Sequence, residues 1–234
     1  EEYDYQQTLF VARLRTEQAP DGAAYERLTR DGPTALLPRG DRHFGLVHAV
    51  PSAEADAVAA LDEAAFLARA QEVFGWRAGR FLSCGERSRY PALRLVAART
   101  VAPRALLVGN AAQSLHPIGA QGFNLGLRDA LTLAELVEGG RLHHRPGQPP
   151  ADDFDCGAPR LLDEYVRRRR QDREETVAFS DGLARLSAND GALARTVRVA
   201  GLLAAARLPA VQSQLVGGAL GYRGEVPALC RPGA

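Results

Sequence analysis

The sequence predicts a mixed α/β fold, and three observations carry that reading. Short apolar and β-branched runs separated by turn signals fill the first hundred or so residues. A glycine-rich loop joins an apolar run to a helical pattern near 104–137. From residue 159 onward only helical periodicity is visible.

Residues 8–16, TLFVARLRT, show the partial alternation of a strand, and Pro20-Asp21-Gly22 marks a turn. The runs TALLP (34–38) and HFGLVHAV (43–50), joined through Arg39-Gly40-Asp41, predict a hairpin and hence an antiparallel sheet with one face covered. At 55–74 the period changes: Val58, Leu61, Ala65, Ala68 and Phe74 fall at helical spacing, with Ser52 placed to cap. RSRYPALRLVAARTV (87–101) is extended, punctuated by Pro91 and Pro103. RALLVG (104–109) reads as a buried strand of a parallel or mixed sheet. A helix follows over 124–137, with Leu125, Leu127, Ala130, Leu131, Ala134 and Val137 on its apolar side and Gly139-Gly140 as its end. Residues 139–158 read as a surface loop or linker. Helices are expected at 159–186, with Pro159 in the first turn, at 190–207 and, more weakly, at 209–220. The expected organisation is therefore sheet and helix over 1–100, a loop motif over 101–140, a connecting loop over 141–158 and a helical region over 159–234.

Composition narrows the function classes. Twenty-nine basic against 28 acidic side chains leave a net charge of +1, and no basic stripe interleaves with aromatics, so nucleic acid is not an expected partner. Cys84, Cys156 and Cys230 are odd in number and far apart, which fits a reducing compartment and no metal site. The uncharged run 208–222 contains a proline and three glycines and falls short of the ~20 residues a bilayer span needs. Glu1-Glu2-Tyr3-Asp4-Tyr5 does not read as a signal peptide, and the absence of any methionine raises the expectation that the chain is a piece of a longer protein.

The loop GNAAQSLHPIGAQGFNLGLRDA (109–130) carries the chemistry. A helix N-terminus presents unpaired N–H groups and about half a positive charge, so it stabilises an anion. Gly119 and Gly122 remove side chains that would hold a ligand away from those amides, and Pro117 fixes the preceding turn. A planar cofactor that turns anionic on reduction fits the pattern. The spacing alone equally allows glycines that only turn a strand into its helix. Ser114 and His116 could form a nucleophile–base pair, but no G-x-S-x-G elbow or acidic partner accompanies them, so hydrolysis is not expected. His143-His144 lacks neighbouring Cys or acidic ligands and reads as solvated. The basic run 167–170 followed by Asp172, Arg173, Glu174 and Glu175 is expected to form i,i+4 pairs on an exposed helix face, with contact to a partner subunit as the alternative.

The string LVGNAAQSLHPIGAQGFNLGLRDALTLAELV (107–137) resembles the second flavin-binding motif of the class A aromatic-ring flavin monooxygenases, most of all their ubiquinone-biosynthesis branch, the 2-polyprenyl-6-methoxyphenol hydroxylases. The likeness extends through DYQQTLFVARL (4–14), YERLTRDGPTALLPRGDRHFGLVHAVP (25–51) and YVRRRRQDREETVAFSDGLARL (165–186), nearly the whole chain. It implies an antiparallel substrate-domain sheet beside a strand–loop–helix of the FAD-binding domain. The G-x-G-x-x-G fingerprint that grips the ADP half of FAD in that family does not occur here, so the chain is expected to be a C-terminal portion and inactive alone.

The resemblance also implies roles. Gly109-Asn110 matches a Gly-Asp pair that takes a ribityl hydroxyl, and the Asn110 amide oxygen can still accept. Pro117 is expected against the ring edge where oxygen reacts, and backbone N–H groups of Gly122, Phe123 and Asn124 at the pyrimidine end. The family's usual Ala-Gly-Gln-Gly is here Gly119-Ala120-Gln121-Gly122, which leaves open which amide meets the ring. Asn124 capping its own helix stands as an equal alternative. The implied activity is hydroxylation of a polyprenyl phenol, with FAD as cofactor, NAD(P)H as reductant and O2 as oxygen donor, in a cytoplasmic protein peripheral to the inner membrane. The C-terminal leucines and valines (Leu202, Leu203, Leu208, Val211, Leu215, Val216 and Leu220) offer an apolar surface for a membrane or a quinone-biosynthesis complex, or else pack under the flavin domain. The competing reading is a non-catalytic scaffold of such a complex.

Overall fold

The structure is a computed structural model that describes residues 1–142, 154–189, 191–220 and 224–231. The chain forms β1 (Glu2–Thr16), β2 (Tyr25–Thr29), β3 (Gly32–Pro38), β4 (Phe44–Pro51), α1 (Ala55–Ala59), α2 (Glu63–Phe74), β5 (Phe81–Cys84), β6 (Ser88–Val96), β7 (Val101–Ala102), β8 (Ala105–Leu106), β9 (Gln113–Ser114), α3 (Gly122–Leu142), α4 (Pro159–Ala188), α5 (Ala192–Arg207) and α6 (Pro209–Leu220). It divides into two compact units, Asp4–Leu93 with Ala184–Arg198, and Glu1–Tyr3 with Arg94–Leu183 and Val199–Ala234. The mixed α/β class is as the sequence predicts.

In the unit built on Asp4–Leu93, the strand order is β2-β3-β4-β1-β6, with β5 also pairing β1. Along β1, Phe10, Ala12, Leu14 and Thr16 are buried while Val11, Arg13 and Arg15 face out, the period of two that a half-covered sheet requires. The expected β3–β4 hairpin forms and closes at Pro38↔Phe44. β2 escaped the sequence reading because YERLT is short and polar, yet it pairs with β3 from Tyr25↔Leu36 to Thr29↔Gly32. Gly32 is obligatory at that turn: its φ is +116°, and a Cβ there would stand 2.5 Å from the Ala49 side chain. Phe10, Leu14, Leu36, Leu46, Phe66 and Phe74 fill one cluster of the core. Burial of each such side chain contributes about 1.5–3 kcal/mol.

The single helix expected over 55–74 is two. α1 stops at Ala59, and Asp62 caps α2 by accepting the Ala65 N–H at 2.7 Å. That side-chain bond gives the chain a better local partner than a continued turn. Ser52 is not the cap of a long helix; it lies in a short 3₁₀ turn (Ser52–Glu54), with its hydroxyl 3.2 Å from that of Thr8.

The other unit departs further. RALLVG is not a buried strand: Ala105–Leu106 pairs with β7 in a short hairpin, and Leu107 and Val108 are each 37% exposed. Apolar content alone does not bury a segment that pairs along one edge only. α3 starts two residues before the expected 124 and runs through Gly139-Gly140 to Leu142, so the glycine pair does not end it. Mid-helix glycine costs about 1 kcal/mol relative to alanine, which packing along the rest of a helix this long can override. The expected loop is shorter as a result, and its residues 143–153, His143-His144 among them, lie outside the described set. α4, α5 and α6 match expectation closely. α5 has no buried residue and α6 has only Gly218; Leu202, Leu203, Leu208, Leu215, Val216 and Leu220 are exposed, and Val211 is half-buried.

Candidate functional site

The glycine loop leaves the β7–β8 hairpin through a 3₁₀ turn (Gly109–Ala111), runs as β9 beside the end of β6, and makes a second 3₁₀ turn (Pro117–Gly119). Ala120 then takes a left-handed conformation, φ 50°, and α3 begins at Gly122. Leu125 donates the first bond of the helix to the Gln121 carbonyl at 2.9 Å, so the amides of Gly122, Phe123 and Asn124 belong to its open N-terminal turn. Asn124 is the third residue of α3, which removes the alternative that it caps this helix.

An open groove of about 690 Å³ lies along this path. Of the nine predicted site residues, Gly109, Asn110, Pro117, Ala120, Gly122 and Phe123 line it, together with Val108, Ser114, Leu115, Gly126 and Leu127. None of these carries an ionisable side chain, so among the lining groups the helix N-terminus is the source of positive potential. A Cβ at Gly122 would meet nothing within 4 Å. Phe123 is 80% exposed, an apolar wall standing over open space. The other three predicted residues do different work. Gly119 packs against α4, where an added Cβ would find Phe179 at 3.5 Å. Gln121 is buried and donates to the carbonyls of Gly119 (3.1 Å) and Ala219 (3.2 Å), tying the loop to the end of α6. Asn124 is half-buried and does not line the groove.

His116 is held under the loop. Its Nδ1 accepts the Ile118 N–H at 3.2 Å, and its carbonyl accepts the Ser180 hydroxyl at 2.7 Å. Burial drives its imidazole down to about 4, so it is neutral and its Nδ1 is committed to the turn. That arrangement serves loop geometry rather than a Ser114–His116 nucleophile pair. Among the described residues, no group of three or more His, Cys, Asp or Glu is placed to hold a metal ion.

Two features behind the groove escaped the sequence reading. First, Gly126 lets α3 press on the Gly109 turn: a Cβ at 126 would come within 3.0 Å of the Gly109 Cα. Second, the buried face of α3 is Leu125, Arg128, Asp129 and Thr132, whereas the expected apolar side exposes Leu127, Ala130 and Ala134. These buried residues meet α4. Arg169 donates to Asp129 (2.7 Å) and Asp172 (2.7 Å), and Arg128 donates twice to Asp172 (2.6 and 3.1 Å). Arg169 and Asp172 are fully buried, which corrects the expectation for that side of the charge run; Arg167, Arg170, Glu174 and Glu175 are exposed, and the i,i+4 pairing foreseen is seen in Arg170–Glu174 and Arg168–Glu164. Burial alone would lift the Asp172 carboxyl, but the hydrogen bond from Arg128 and the flanking guanidinium charges hold it below the usual carboxylate range. The legible signal was the matched spacing of Arg128, Asp129 and Thr132 with Tyr165, Arg169, Asp172 and Thr176, two polar stripes at helical period.

A family model described as an FAD binding domain matches residues 4–139. The chain belongs to this FAD binding domain family. It is 36% identical over 205 residues to the ubiquinone hydroxylase UbiL of Rhodospirillum rubrum, covering 87% of this chain and 46% of that protein. It is 28% identical over 221 residues to the 3-demethoxyubiquinol 3-hydroxylase of Escherichia coli, covering 94% and 54% respectively. The chain thus spans about half the length of the curated relatives it matches. Among solved structures, the p-nitrophenol 4-monooxygenase PnpA of Pseudomonas putida superposes with a TM-score of 0.70 at 16% identity, over 97% of this chain and 56% of that one. HpxO of Klebsiella pneumoniae, complexed with FAD and uric acid, superposes at 0.65 with 15% identity, over 94% and 54%. The structural neighbours establish the fold, and the curated relatives bear out the resemblance to the ubiquinone-biosynthesis branch. FAD is the cofactor of the FAD binding domain family, and the groove walls fit it: neutral, partly apolar, with a helix N-terminus and no Cβ at Gly122.

Proposed function

We propose that this chain is part of an FAD-dependent monooxygenase that hydroxylates a polyprenyl phenol in ubiquinone biosynthesis, using NAD(P)H and O2. The observation that carries the reading is the groove over the first turn of α3, where neutral walls leave backbone amides as the main source of positive potential. Bound there, FAD would supply the redox and oxygen-activating chemistry. The residues of this chain contribute position and polarity. Gly109, Asn110, Pro117, Ala120, Gly122 and Phe123 form the wall; Asn110 offers an amide oxygen to a ribityl hydroxyl; and the amides of Gly122, Phe123 and Asn124 stabilise negative charge on the reduced ring. Gly119 and Gln121 hold the loop from behind. The names of the curated relatives support the substrate class, and the intact groove supports an enzyme over a scaffold.

The test is an FAD titration of the purified chain and of Gly122→Leu, followed by flavin fluorescence. The new side chain grows into open space, so folding is expected to survive while the FAD dissociation constant rises about tenfold or more, ~1.4 kcal/mol. Equal affinity in the two proteins would remove the groove from the proposal.

A membrane-peripheral setting is part of this reading, and one observation favours it. Leu202, Leu203, Val216 and Leu220 are all more than half exposed, and residues 192–220 contain no acidic side chain.

A further inference from the structure

Gly109 and Asn110 line the groove in a turn closed locally by two bonds, from the Ala111 N–H to the Val108 carbonyl (3.3 Å) and from the Ala112 N–H to the Gly109 carbonyl (2.9 Å). Gly109 itself lies at φ +57°, a conformation glycine enters and leaves freely, and its own N–H is held from α3. Asp129, with no exposed surface, accepts the Gly109 N–H (3.1 Å) and the Gln113 side-chain amide (3.0 Å) on Oδ2, and the Arg169 Nε–H (2.7 Å) on Oδ1. Its two oxygens are thus divided between the loop and α4. Arg169 is fixed in turn by Asp172, and Asp172 by Arg128 and by the Thr176 hydroxyl at 3.2 Å.

We infer that Asp129 is the positioning residue of the cofactor turn, a carboxylate that sets where Gly109 and Asn110 stand and links that placement to α4. This rests on the proposed flavin role of the groove. Asp129 lies behind the turn, does not line the groove, and acts only through the backbone it holds. An asparagine cannot replace it. Its NH2 would face either the Gly109 and Gln113 donors or the Arg169 donor, and one contact must fail.

The comparison is between Asp129→Asn and Asp172→Asn in the purified chain. Each removes one buried carboxylate from the same network, so general destabilisation is shared, but only the first touches the turn. Amide hydrogen exchange at Gly109, read by NMR, is expected to speed up by about tenfold or more in Asp129→Asn and to stay within about threefold in Asp172→Asn. The FAD dissociation constant should follow the same order, rising about tenfold against less than about threefold. Equal effects of the two variants, or no effect of Asp129→Asn, would overturn the assignment. If Asp129→Asn does not fold, the wild-type amide decides: protection at Gly109 well above that of Asn110 supports the clasp, and equal exchange refutes it. If the wild-type chain binds no FAD by itself, the exchange data alone decide whether Asp129 holds the turn.

Discussion

Ala120 shows what one residue can cost in a tight loop. Its backbone sits at φ 50°, ψ 29°, where an L side chain is disfavoured by about 1–2 kcal/mol. The resembled family places glycine at this position and alanine one residue earlier. Gly119 has no such constraint, and a Cβ there would meet Phe179 at an ordinary 3.5 Å. The paired exchange Gly119→Ala with Ala120→Gly is therefore expected to stabilise the chain by about 1 kcal/mol, because the glycine entropy cost only moves from one position to the other. Urea denaturation reads it directly: a midpoint that stays or falls would mean the left-handed turn carries no strain. The loop's glycines and proline were legible as residues. Which position turns left-handed was not, because that depends on the path between β9 and α3.

At the scale of elements, legibility followed the physical signal each one carries. Pro159 and Pro209 open α4 and α6, and both helices begin where the sequence places them. The break at 60–62 was hidden because Val58, Leu61 and Ala65 keep helical spacing across it. The α3–α4 contact was hidden for a different reason: its buried groups are arginine and aspartate, which a hydropathy pattern assigns to solvent. Removing one member of such a pair costs about 3–5 kcal/mol, so these charges behave as core. The reverse holds for Val199–Leu220, apolar yet exposed. If it docks on a bilayer, wild-type protein should co-sediment with vesicles containing anionic lipid. Leu202→Glu combined with Leu203→Glu should lower the bound fraction about tenfold, each buried charge opposing insertion. Wild-type protein that ignores vesicles would end the membrane reading.

For the whole molecule, acid is the informative stress. His48 and His116 lie one in each unit, almost fully buried, and burial lowers each imidazole from 6.5 to about 4. The unfolded chain binds these protons first, so stability is complete above about pH 6.5 and declines as pH falls toward 4, by at most about 3 kcal/mol per histidine. The Asp172 carboxyl is shifted down as well, and its contribution is lost only as pH falls below its ordinary value of 3.8. Burial raises the Glu26 carboxyl to about 7, which works the other way in this window, so His48 is read by difference. Between pH 6.5 and 4.5 the melting temperature of His48→Gln should fall less, or rise more, than that of wild type, and equal slopes would show that His48 does not titrate there. The Asp129 clasp has one more consequence, in time rather than in space. Asp129 stands 20 positions from Gly109 and 40 from Arg169, so both the bond that steadies the turn and the one that anchors Asp129 are non-local and close only after a long stretch of chain has collapsed. During refolding the dinucleotide would thus meet a competent cradle late, and nucleotide added at the start should leave the early kinetic phases untouched.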